Sequence, residues 1–350
     1  MAAINPLAPV LVTGGSGYVA SWIVRYLLED GYSVRATVRD PGKATGLEHL
    51  HELAVAHDGR LTLCAADLLD DGSFTDAMQG CELVIHTASP FLLGKVRDPD
   101  EQFVRPALEG TRNVLAGVDA TDSVKRVVLT SSVAAVFGDN ADMAGKQSFT
   151  EADWNTTSSI DHQPYSYSKT VAEREAWKLQ AAQDRWELIT IHPALVLGPA
   201  LTTASHSGSM TTMRHFVDYS MAAGAPALQM GVVDVRDVAR AHISAGITPD
   251  AHGRYLAVAE TTSLLGISRI LMGAFGRRLS FPRVELPKVM IKLGAPAAGL
   301  TRKFVDRNVG WAVAFDTART VRDLDVRFRP AAETVVEHFQ QMIDDRMTKA

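Results

Sequence analysis

Short apolar runs alternate with amphipathic segments through the first two hundred residues of the chain. The apolar runs are mostly uninterrupted, as is typical of parallel strands that are covered on both faces. They predict six strands, at Val10–Thr13, Ser33–Val38, Leu61–Ala66, Leu83–Thr87, Arg126–Thr130 and Leu188–His192. The amphipathic segments predict helices over about Gly17–Asp30, Ser73–Gln79, Asp100–Val118 and Tyr165–Ala182. Regular alternation of strand and helix indicates right-handed crossovers, and therefore an α/β fold with a doubly wound parallel sheet.

The pattern loosens after about Pro199. Gly, Ser and Thr are frequent between Thr202 and Thr212, which predicts a loop that closes over a site. Later segments predict mainly helices, at Leu264–Phe275, Pro287–Leu293, Thr317–Leu324 and Ala331–Met347. We therefore expect a sheet domain over residues 1–199, to which part of 231–260 returns, and a smaller, mainly helical C-terminal cap over 200–350 that completes a cleft.

Composition narrows the class of protein. The 350 residues are 46% hydrophobic and can bury a large core. Because the net charge is −5 and no basic tract stands out, we expect no nucleic-acid partner. No apolar run approaches the ~18 residues that span a bilayer, and the N-terminus lacks a signal-like core, so we expect a cytoplasmic protein without a membrane partner. Cys64 and Cys81 lie beside apolar runs and are expected to be buried thiols.

A glycine-rich turn, Gly14-Gly15-Ser16-Gly17-Tyr18-Val19-Ala20, joins the first predicted strand to the first predicted helix. Gly14 and Gly17 permit a tight turn and let the backbone approach a pyrophosphate, while the helix N-terminus adds amide donors. Ala20, which replaces the usual third glycine, is still small enough for close helix–strand packing. The position of the turn, more than its glycines, predicts a dinucleotide site, which would be contacted by Gly14, Ser16, Gly17, Tyr18 and Val19.

The residues after the second predicted strand discriminate between nicotinamide cofactors. A carboxylate there binds the ribose 2′-hydroxyl of NAD, whereas an arginine accommodates the 2′-phosphate of NADP. Arg39 offers a planar, bidentate fork to phosphate, and Lys43 adds a second positive charge. Asp40 leaves open the alternative of an ordinary surface loop with mixed charge. We predict NADP(H) as the cofactor.

Tyr165 and Lys169 are one helical turn apart and share a face, whereas Tyr167 points elsewhere. A free phenol has a pKa of ~10 and is a poor acid–base catalyst near neutral pH. A lysine cation at about 4 Å supplies roughly 4 kcal/mol at an effective dielectric of 20, enough to bring the pKa of the phenol towards neutrality. The pair therefore predicts a catalytic phenol activated by an ammonium group, although such pairs are also common on exposed helices.

Three hydroxyl residues, Thr130, Ser131 and Ser132, stand at the end of the fifth predicted strand. The carboxyl ends of strands in a doubly wound sheet face the ligand crevice. A hydroxyl group there can donate a hydrogen bond to a carbonyl oxygen as negative charge develops on it. Either serine could instead cap a helix or a turn.

Other polar residues carry weaker signals. The three histidines of residues 49–57 lack a metal-type partner set, so no metal is predicted. His86 and His192 lie in or beside strands and are expected to be structural. Asn113 could support a proton relay or have a packing or capping role.

Together these segments resemble the extended short-chain dehydrogenase/reductase superfamily. They are most similar to its dihydroflavonol 4-reductase-like branch, which includes cinnamoyl-CoA reductases and microbial aldehyde and ketone reductases. The resemblance covers nearly the whole chain and implies a Rossmann fold. The matching segments are Val12–Trp22, Val34–Pro41, Ala66–Leu68, Thr130–Ser132, Tyr165–Lys169, His192–Pro199 and Val233–His242.

The resemblance also implies roles for individual residues. Ser132, Tyr165 and Lys169 would form a catalytic triad, in which Ser132 and Tyr165 bind the substrate oxygen and Lys169 also holds the nicotinamide ribose. Tyr165 and Lys169 thus contact the cofactor as well. Further cofactor-binding residues are implied after successive strands: Asp67 and Leu68 at the adenine, Thr87, Ala88, Ser89 and Thr130 along the cofactor, and Pro193, Ala194 and Val196 beside the nicotinamide.

One position departs from the flavonoid-reducing relatives. Phe137 follows Val136, where plant flavonoid reductases place a polar, substrate-binding residue, so the microbial carbonyl reductases are the nearer resemblance. We expect NADPH-dependent, reversible reduction of an aldehyde or ketone to an alcohol by a Ser-Tyr-Lys triad. Hydroxysteroid oxidation, sugar-nucleotide epimerisation and non-enzymatic NADP sensing remain alternatives on this fold. The chain is expected to be a monomer or a homodimer.

Overall fold

The computed structural model describes residues 4–43, 45–89, 98–202, 208–218, 221–276, 281–296 and 299–345. Strands within these ranges are β1 (Val10–Thr13), β2 (Val34–Val38), β3 (Leu61–Ala65), β4 (Leu83–His86), β5 (Arg126–Thr130), β6 (Glu187–Pro193), β7 (Leu195–Leu197), β8 (Ala225–Pro226), β9 (Gln229–Asp234), β10 (Gly253–Ala257), β11 (Glu260–Ser263) and β12 (Glu285–Leu286). The α-helices are α1 (Tyr18–Glu29), α2 (Glu48–Ala56), α3 (Thr75–Met78), α4 (Arg105–Asp119), α5 (Pro164–Gln180), α6 (Gly208–Val217), α7 (Val235–Ile247), α8 (Leu264–Phe275), α9 (Lys288–Gly294), α10 (Arg302–Asn308), α11 (Ala318–Leu324) and α12 (Ala331–Asp344).

Seven parallel strands form the large sheet, in the order β10-β6-β5-β4-β1-β2-β3. The strand order reverses at β1, which pairs with β2 on one side and with β4 on the other. In a doubly wound sheet, the crevice outside the carboxyl ends at this switch point is where ligands bind. The predicted fold class is confirmed.

Apolar side chains of the central strands supply a core on both faces of the sheet. Val10 and Val12 join a cluster that includes residues of α1 and α7, whereas Leu11 joins a second cluster with residues of α4 and α5. This division follows from the strand backbone, because successive side chains point to opposite faces. Because helices cover both faces of the sheet, the strand sequences are continuous apolar runs.

Some elements were not predicted. The pattern missed α2 and α7, and it missed β10 as the strand that extends the sheet beside β6. The C-terminal region also contains α10, the pair β12–β8, and strands β9 and β11, which form a three-stranded sheet with β7 in the order β11-β9-β7, so this region is less helical than expected. The division of the chain at residue 199 stays a prediction.

The loop predicted over Thr202–Thr212 is wrong at its C-terminal end, because α6 begins at Gly208. Buried side chains at Met210, Met213 and Phe216 have the three-residue spacing of a helix face, and this burial favours the helix. Residues 203–207 of the predicted loop lie outside the described residues. Within the described ranges, no helix combines the length and the apolar character needed to cross a lipid bilayer.

Candidate active site

The glycine turn packs tightly against its neighbours. Gly14 has φ +66°, and a Cβ there would lie 3.0 Å from the Cα of Ala88. A Cβ at Gly15 would lie 2.7 Å from the Cβ of Ala36 in β2, so this glycine, to which the motif assigned no role, is also required. Gly17 is the N-cap residue of α1, and no side chain caps this helix end. The first amide groups of α1 therefore remain available to donate hydrogen bonds to an anion in the turn. The turn therefore fits a pyrophosphate.

Thr13 joins the glycine turn to the segment after β4. Its carbonyl oxygen accepts a bond of 2.6 Å from the Thr87 hydroxyl, and its Oγ1 accepts one of 3.1 Å from the Ala88 amide. The same Oγ1 lies 2.8 Å from Nδ1 of His86, whose burial lowers its pKa to about 3. His86 is thus a neutral residue bonded within the scaffold.

Tyr18 faces away from the turn. Its hydroxyl donates a hydrogen bond of 2.5 Å to the carbonyl oxygen of Gly198, and burial raises the pKa of this phenol well above its usual value. In the next turn of α1, Trp22 Nε1 donates to the carbonyl oxygen of Pro199 at 2.8 Å. The side chain of Tyr18 is therefore occupied, and only its main-chain amide is left for the predicted cofactor contact.

Arg39 and Lys43 are both exposed directly after β2. Neither side chain forms an ion pair with another described residue, so both are free to bind a phosphate. Asp67 and Leu68 follow β3, and Asn113 Nδ2 of α4 donates a bond of 2.8 Å to the carbonyl oxygen of Leu68. Asn113 thus holds the predicted adenine segment in place, which favours its structural interpretation over a proton relay.

A narrow cavity brings several predicted cofactor residues together. Leu68, Ala88, Ser89, Thr130 and Lys169 all line it, although they come from four separate segments of the chain. Thr130 Oγ1 also lies 2.7 Å from Nε2 of His242, which anchors the end of β5 to α7. Of the predicted residues at the nicotinamide, Pro193 ends β6, Ala194 lies between β6 and β7, and Val196 lies in β7. These three residues do not line this cavity.

Ser132 and Tyr165 form a hydroxyl pair just beyond the carboxyl end of β5. Ser132 precedes a 3₁₀ turn, Val133–Ala135, and its Oγ accepts a bond of 3.1 Å from the amide of Ala134. That bond leaves the proton of Ser132 available for Tyr165. Burial of its hydroxyl raises the pKa of Tyr165, and the hydrogen bond from Ser132 acts in the opposite direction.

Lys169 lies one turn further along α5. Its Nζ donates a bond of 2.9 Å to Oγ of Ser89, and burial lowers its pKa to about 8, against the opposing charge of Glu173. Burial raises the pKa of Tyr165 in this structure, so the lowering of that pKa by Lys169 stays a prediction. The ammonium group bonds to the segment after β4, and desolvation dominates at both side chains.

The structure separates the two serines that the sequence left equivalent. Ser131 Oγ donates a hydrogen bond of 2.5 Å to the buried carboxylate of Glu173. Its neighbour Ser132 instead bonds to Tyr165. Ser131 is therefore a scaffold residue. Glu173 was missed, although its position one turn after Lys169 was a usable signal.

A second buried network was also missed. Asp139 is fully buried and binds His162 at 2.9 Å, Arg307 at 2.6 Å and Asn308 at 2.7 Å. Gln163, which has φ +56°, donates to the same carboxylate at 2.7 Å directly before α5 begins. This network fixes the start of α5 to α10. Because 168 residues separate Asp139 from Arg307, no local pattern could have revealed the contact.

Phe137 contributes no polar group to the cleft. Its ring stacks on Phe149 with centroids 4.7 Å apart and tilts against Phe315 at 5.6 Å. Among the described residues, no group of three His, Cys, Asp or Glu side chains is placed to hold a metal ion.

A doubly wound sheet with a glycine turn after β1, and with Ser132, Tyr165 and Lys169 grouped at its carboxyl edge, defines the short-chain dehydrogenase/reductase class. The family model for the NAD dependent epimerase/dehydratase family matches residues 10–258. The chain belongs to this family, and the predicted membership of the extended superfamily is confirmed.

Named relatives and a solved structure are similar to this chain. Cinnamoyl-CoA reductase CAD2 of Medicago truncatula is 40% identical over 284 residues, which are 80% of this chain and 82% of the relative. Tetraketide alpha-pyrone reductase 1 of Arabidopsis thaliana is 38% identical over 81% of this chain and 84% of the relative. The crystal structure of yeast methylglyoxal/isovaleraldehyde reductase Gre2 complexed with NADPH matches with a TM-score of 0.77 and 25% identity, covering 97% of this chain and 99% of that one.

Proposed function

We propose that the protein is an NADPH-dependent carbonyl reductase, which reduces an aldehyde or a ketone to an alcohol and can run in reverse. The observation that carries this proposal is the hydroxyl pair of Ser132 and Tyr165 next to Lys169, at the carboxyl edge of the sheet. Two proton donors beside one cleft suit a reaction in which a carbonyl oxygen gains negative charge and then a proton.

The chain is an oxidoreductase that uses NADP(H). Its relatives are named as reductases, and the Gre2 structure is an NADPH complex, so the predicted enzyme class and cofactor are confirmed. The residues present fit this cofactor, because the glycine turn leaves no room for a Cβ at Gly14 or Gly15 and two exposed cations follow β2.

NADPH would supply the hydride. The glycine turn would hold its pyrophosphate, Arg39 and Lys43 its 2′-phosphate, and Asp67 and Leu68 its adenine. The residues that line the narrow cavity, together with Pro193, Ala194 and Val196, would hold the nicotinamide half.

Tyr165 acts as the proton donor. Because its pKa is raised, the phenol keeps its proton at neutral pH and can give it to the substrate oxygen. Ser132 donates a hydrogen bond to the same oxygen, and its own orientation is set by the Ala134 amide. Lys169 is cationic below a pH of about 8, and its charge favours the negative oxygen that develops during the reaction.

The substrate is a small carbonyl compound rather than a flavonoid. The stacked ring of Phe137 offers no hydrogen bond where plant flavonoid reductases have a polar residue. Hydroxysteroid oxidation and sugar-nucleotide epimerisation would use the same residues, whereas a nucleotide sensor would not need them. The cytoplasmic location and the monomeric or homodimeric state remain predictions.

The decisive experiment screens the wild-type protein for NADPH oxidation, followed by absorbance, against a panel of aldehydes, ketones and flavanonols. We expect turnover with aldehydes or simple ketones, and loss of nearly all turnover in Tyr165→Phe with NADPH affinity retained. Tightly held cofactor with no net NADPH consumption would indicate an epimerase instead. Full turnover in Tyr165→Phe would contradict the proposed chemistry.

A further inference from the structure

Glu173 lies at the centre of α5, one helical turn beyond Lys169 and two beyond Tyr165, and it is only 1% exposed. Residues at this spacing share one face of a helix, so its carboxylate points towards the sheet beneath the catalytic pair. A buried carboxylate is costly unless it is fully hydrogen-bonded. Its partners therefore show what the position requires.

Five donors from four elements surround this carboxylate. The first is Ser131 at the end of β5, whose Oγ lies 2.5 Å from Oε2. His192 of β6 contacts Oε2 at 2.8 Å, and Arg254 of β10 contacts Oε1 through Nε at 2.8 Å. The remaining two are Trp177 Nε1 at 3.1 Å and Thr190 Oγ1 at 3.3 Å.

Two of these donors are sequence neighbours of residues assigned above to the reaction. Ser131 precedes Ser132, and His192 precedes Pro193 of the nicotinamide segment. Tyr165 and Lys169 lie on the same helix as Glu173. One carboxylate thus connects the three segments that carry the reacting groups.

We propose that Glu173 is a positioning residue of the reductase, whose carboxylate holds the ends of β5 and β6 against α5 and thereby fixes Ser132 and the Pro193–Val196 segment relative to Tyr165 and Lys169. This inference rests on the proposed function. Glu173 touches neither substrate nor cofactor and acts only through the residues that it orients.

The charge of Glu173 supports the same role. Its pKa is held well below the usual range by His192, Arg254 and the Ser131 hydroxyl, so the carboxylate is ionised throughout the working range of pH. The charged groups that face it are Lys169 and Arg254, His192 is the titratable group beside them, and His86 faces Lys169 from β4. Glu173 keeps the pKa of Lys169 from falling below about 8.

The main test compares Glu173→Gln with Glu175→Gln. Glu175 is on the same helix but forms surface ion pairs with Arg112 and Lys178, so its loss is a matched control for removal of a charge from α5. We expect Glu173→Gln to lower kcat by about 10- to 100-fold, with a change of less than about threefold in the KM for NADPH, as for a small displacement of reacting groups. Glu175→Gln should keep wild-type kcat.

A second readout does not depend on turnover. The rate at which Lys169 is acylated, followed by mass spectrometry across pH, reports the protonation of its amine. Its midpoint should fall by about one pH unit in Glu173→Gln and stay unchanged in Glu175→Gln. A protein that reduces no carbonyl compound would contradict the proposed function, whereas wild-type kcat in folded Glu173→Gln would contradict the positioning role of Glu173.

Glu173→Asp keeps the charge but shortens the reach of the carboxylate. We expect a wild-type Lys169 midpoint together with an intermediate kcat, which separates the positioning effect from the charge. Should Glu173→Gln fail to fold, this variant decides the matter, because wild-type kcat in Glu173→Asp would overturn the proposal and a reduced kcat with an unchanged midpoint would support it.

Discussion

The ammonium group of Lys169 donates a hydrogen bond of 2.9 Å to the hydroxyl oxygen of Ser89, three residues beyond the end of β4. This bond connects the catalytic helix to the strand next to the glycine turn. It also directs the positive charge of Lys169 towards the predicted cofactor segment, and the pKa of Tyr165 is not lowered.

The protonation of Lys169 predicts how the reaction depends on pH. Burial lowers its pKa to about 8, so the amine is charged below that pH and neutral above it, whereas the raised pKa of Tyr165 keeps the phenol protonated over the same range. We expect kcat for carbonyl reduction to fall as the pH rises through about 8. Ser89→Ala removes an oxygen that accepts from the charged form, so its midpoint should move to lower pH. Coincident pH profiles of the two proteins would argue against this assignment.

The two adjacent serines should respond differently to alanine. Ser132→Ala removes the donor beside Tyr165 and is expected to lower kcat by about 100- to 1,000-fold with little change in NADPH affinity. Ser131→Ala removes one of several donors to buried Glu173, so it should destabilise the fold by about 1–3 kcal/mol and lower kcat much less. Kinetics and urea unfolding of both variants measure the difference, and equal losses of kcat would show that the roles are not separate.

Arg39 should set the preference between nicotinamide cofactors. Arg39→Ala removes a charged hydrogen bond to phosphate, worth about 1.5–3 kcal/mol, so the KM for NADPH should rise roughly 10- to 100-fold while that for NADH stays constant. Arg322→Ala is the control, because Arg322 is an exposed arginine of α11, which packs beside β10 at the opposite edge of the sheet from β2. An unchanged ratio of the KM values for NADPH and NADH in Arg39→Ala would show that Arg39 does not bind the 2′-phosphate.

Glycine substitutions should have opposite effects at two positions. A Cβ at Gly15 meets the Cβ of Ala36 at 2.7 Å, so Gly15→Ala should destabilise the fold by about 1–3 kcal/mol and weaken NADPH binding. Gly273 is an exposed position of α8, and a Cβ there would meet no atom of a neighbouring described residue within 4 Å, so Gly273→Ala should stabilise the fold by up to about 1 kcal/mol. Thermal unfolding and NADPH titration of both variants measure these effects. Wild-type stability and NADPH affinity in Gly15→Ala would show that β2 can move to make room for the added Cβ.

The repeating pattern of the sequence was sufficient for six of the seven strands of the large sheet, because parallel strands buried on both faces are mostly apolar. It was not sufficient for β10 or α7. Arg254 interrupts the apolar sequence pattern of β10. In α7, buried polar residues such as Asp237 and His242 give the segment the sequence pattern of an exposed one. Their tertiary partners, Glu173 for Arg254 and Thr130 for His242, are distant in the chain.

The candidate site shows the same limit. Motif and spacing predicted Tyr165, Lys169 and the glycine turn, because their geometry is set within one turn or one helix. The direction of the Lys169 ammonium group depends on Ser89, which is 80 residues away, and spacing alone could not supply it. Only the fold separates Ser131 from Ser132.

The bond from Tyr18 to Gly198 has a practical consequence for chimeric enzymes. Together with the hydrogen bond from Trp22 to Pro199, it means that the residues directly after β7 hold α1 in position. A graft that replaces the C-terminal region with that of another reductase should therefore keep the native chain through Pro199 and join after it. A junction placed earlier would remove both of these hydrogen bonds from α1. It would therefore disturb nucleotide binding in addition to any change in substrate specificity.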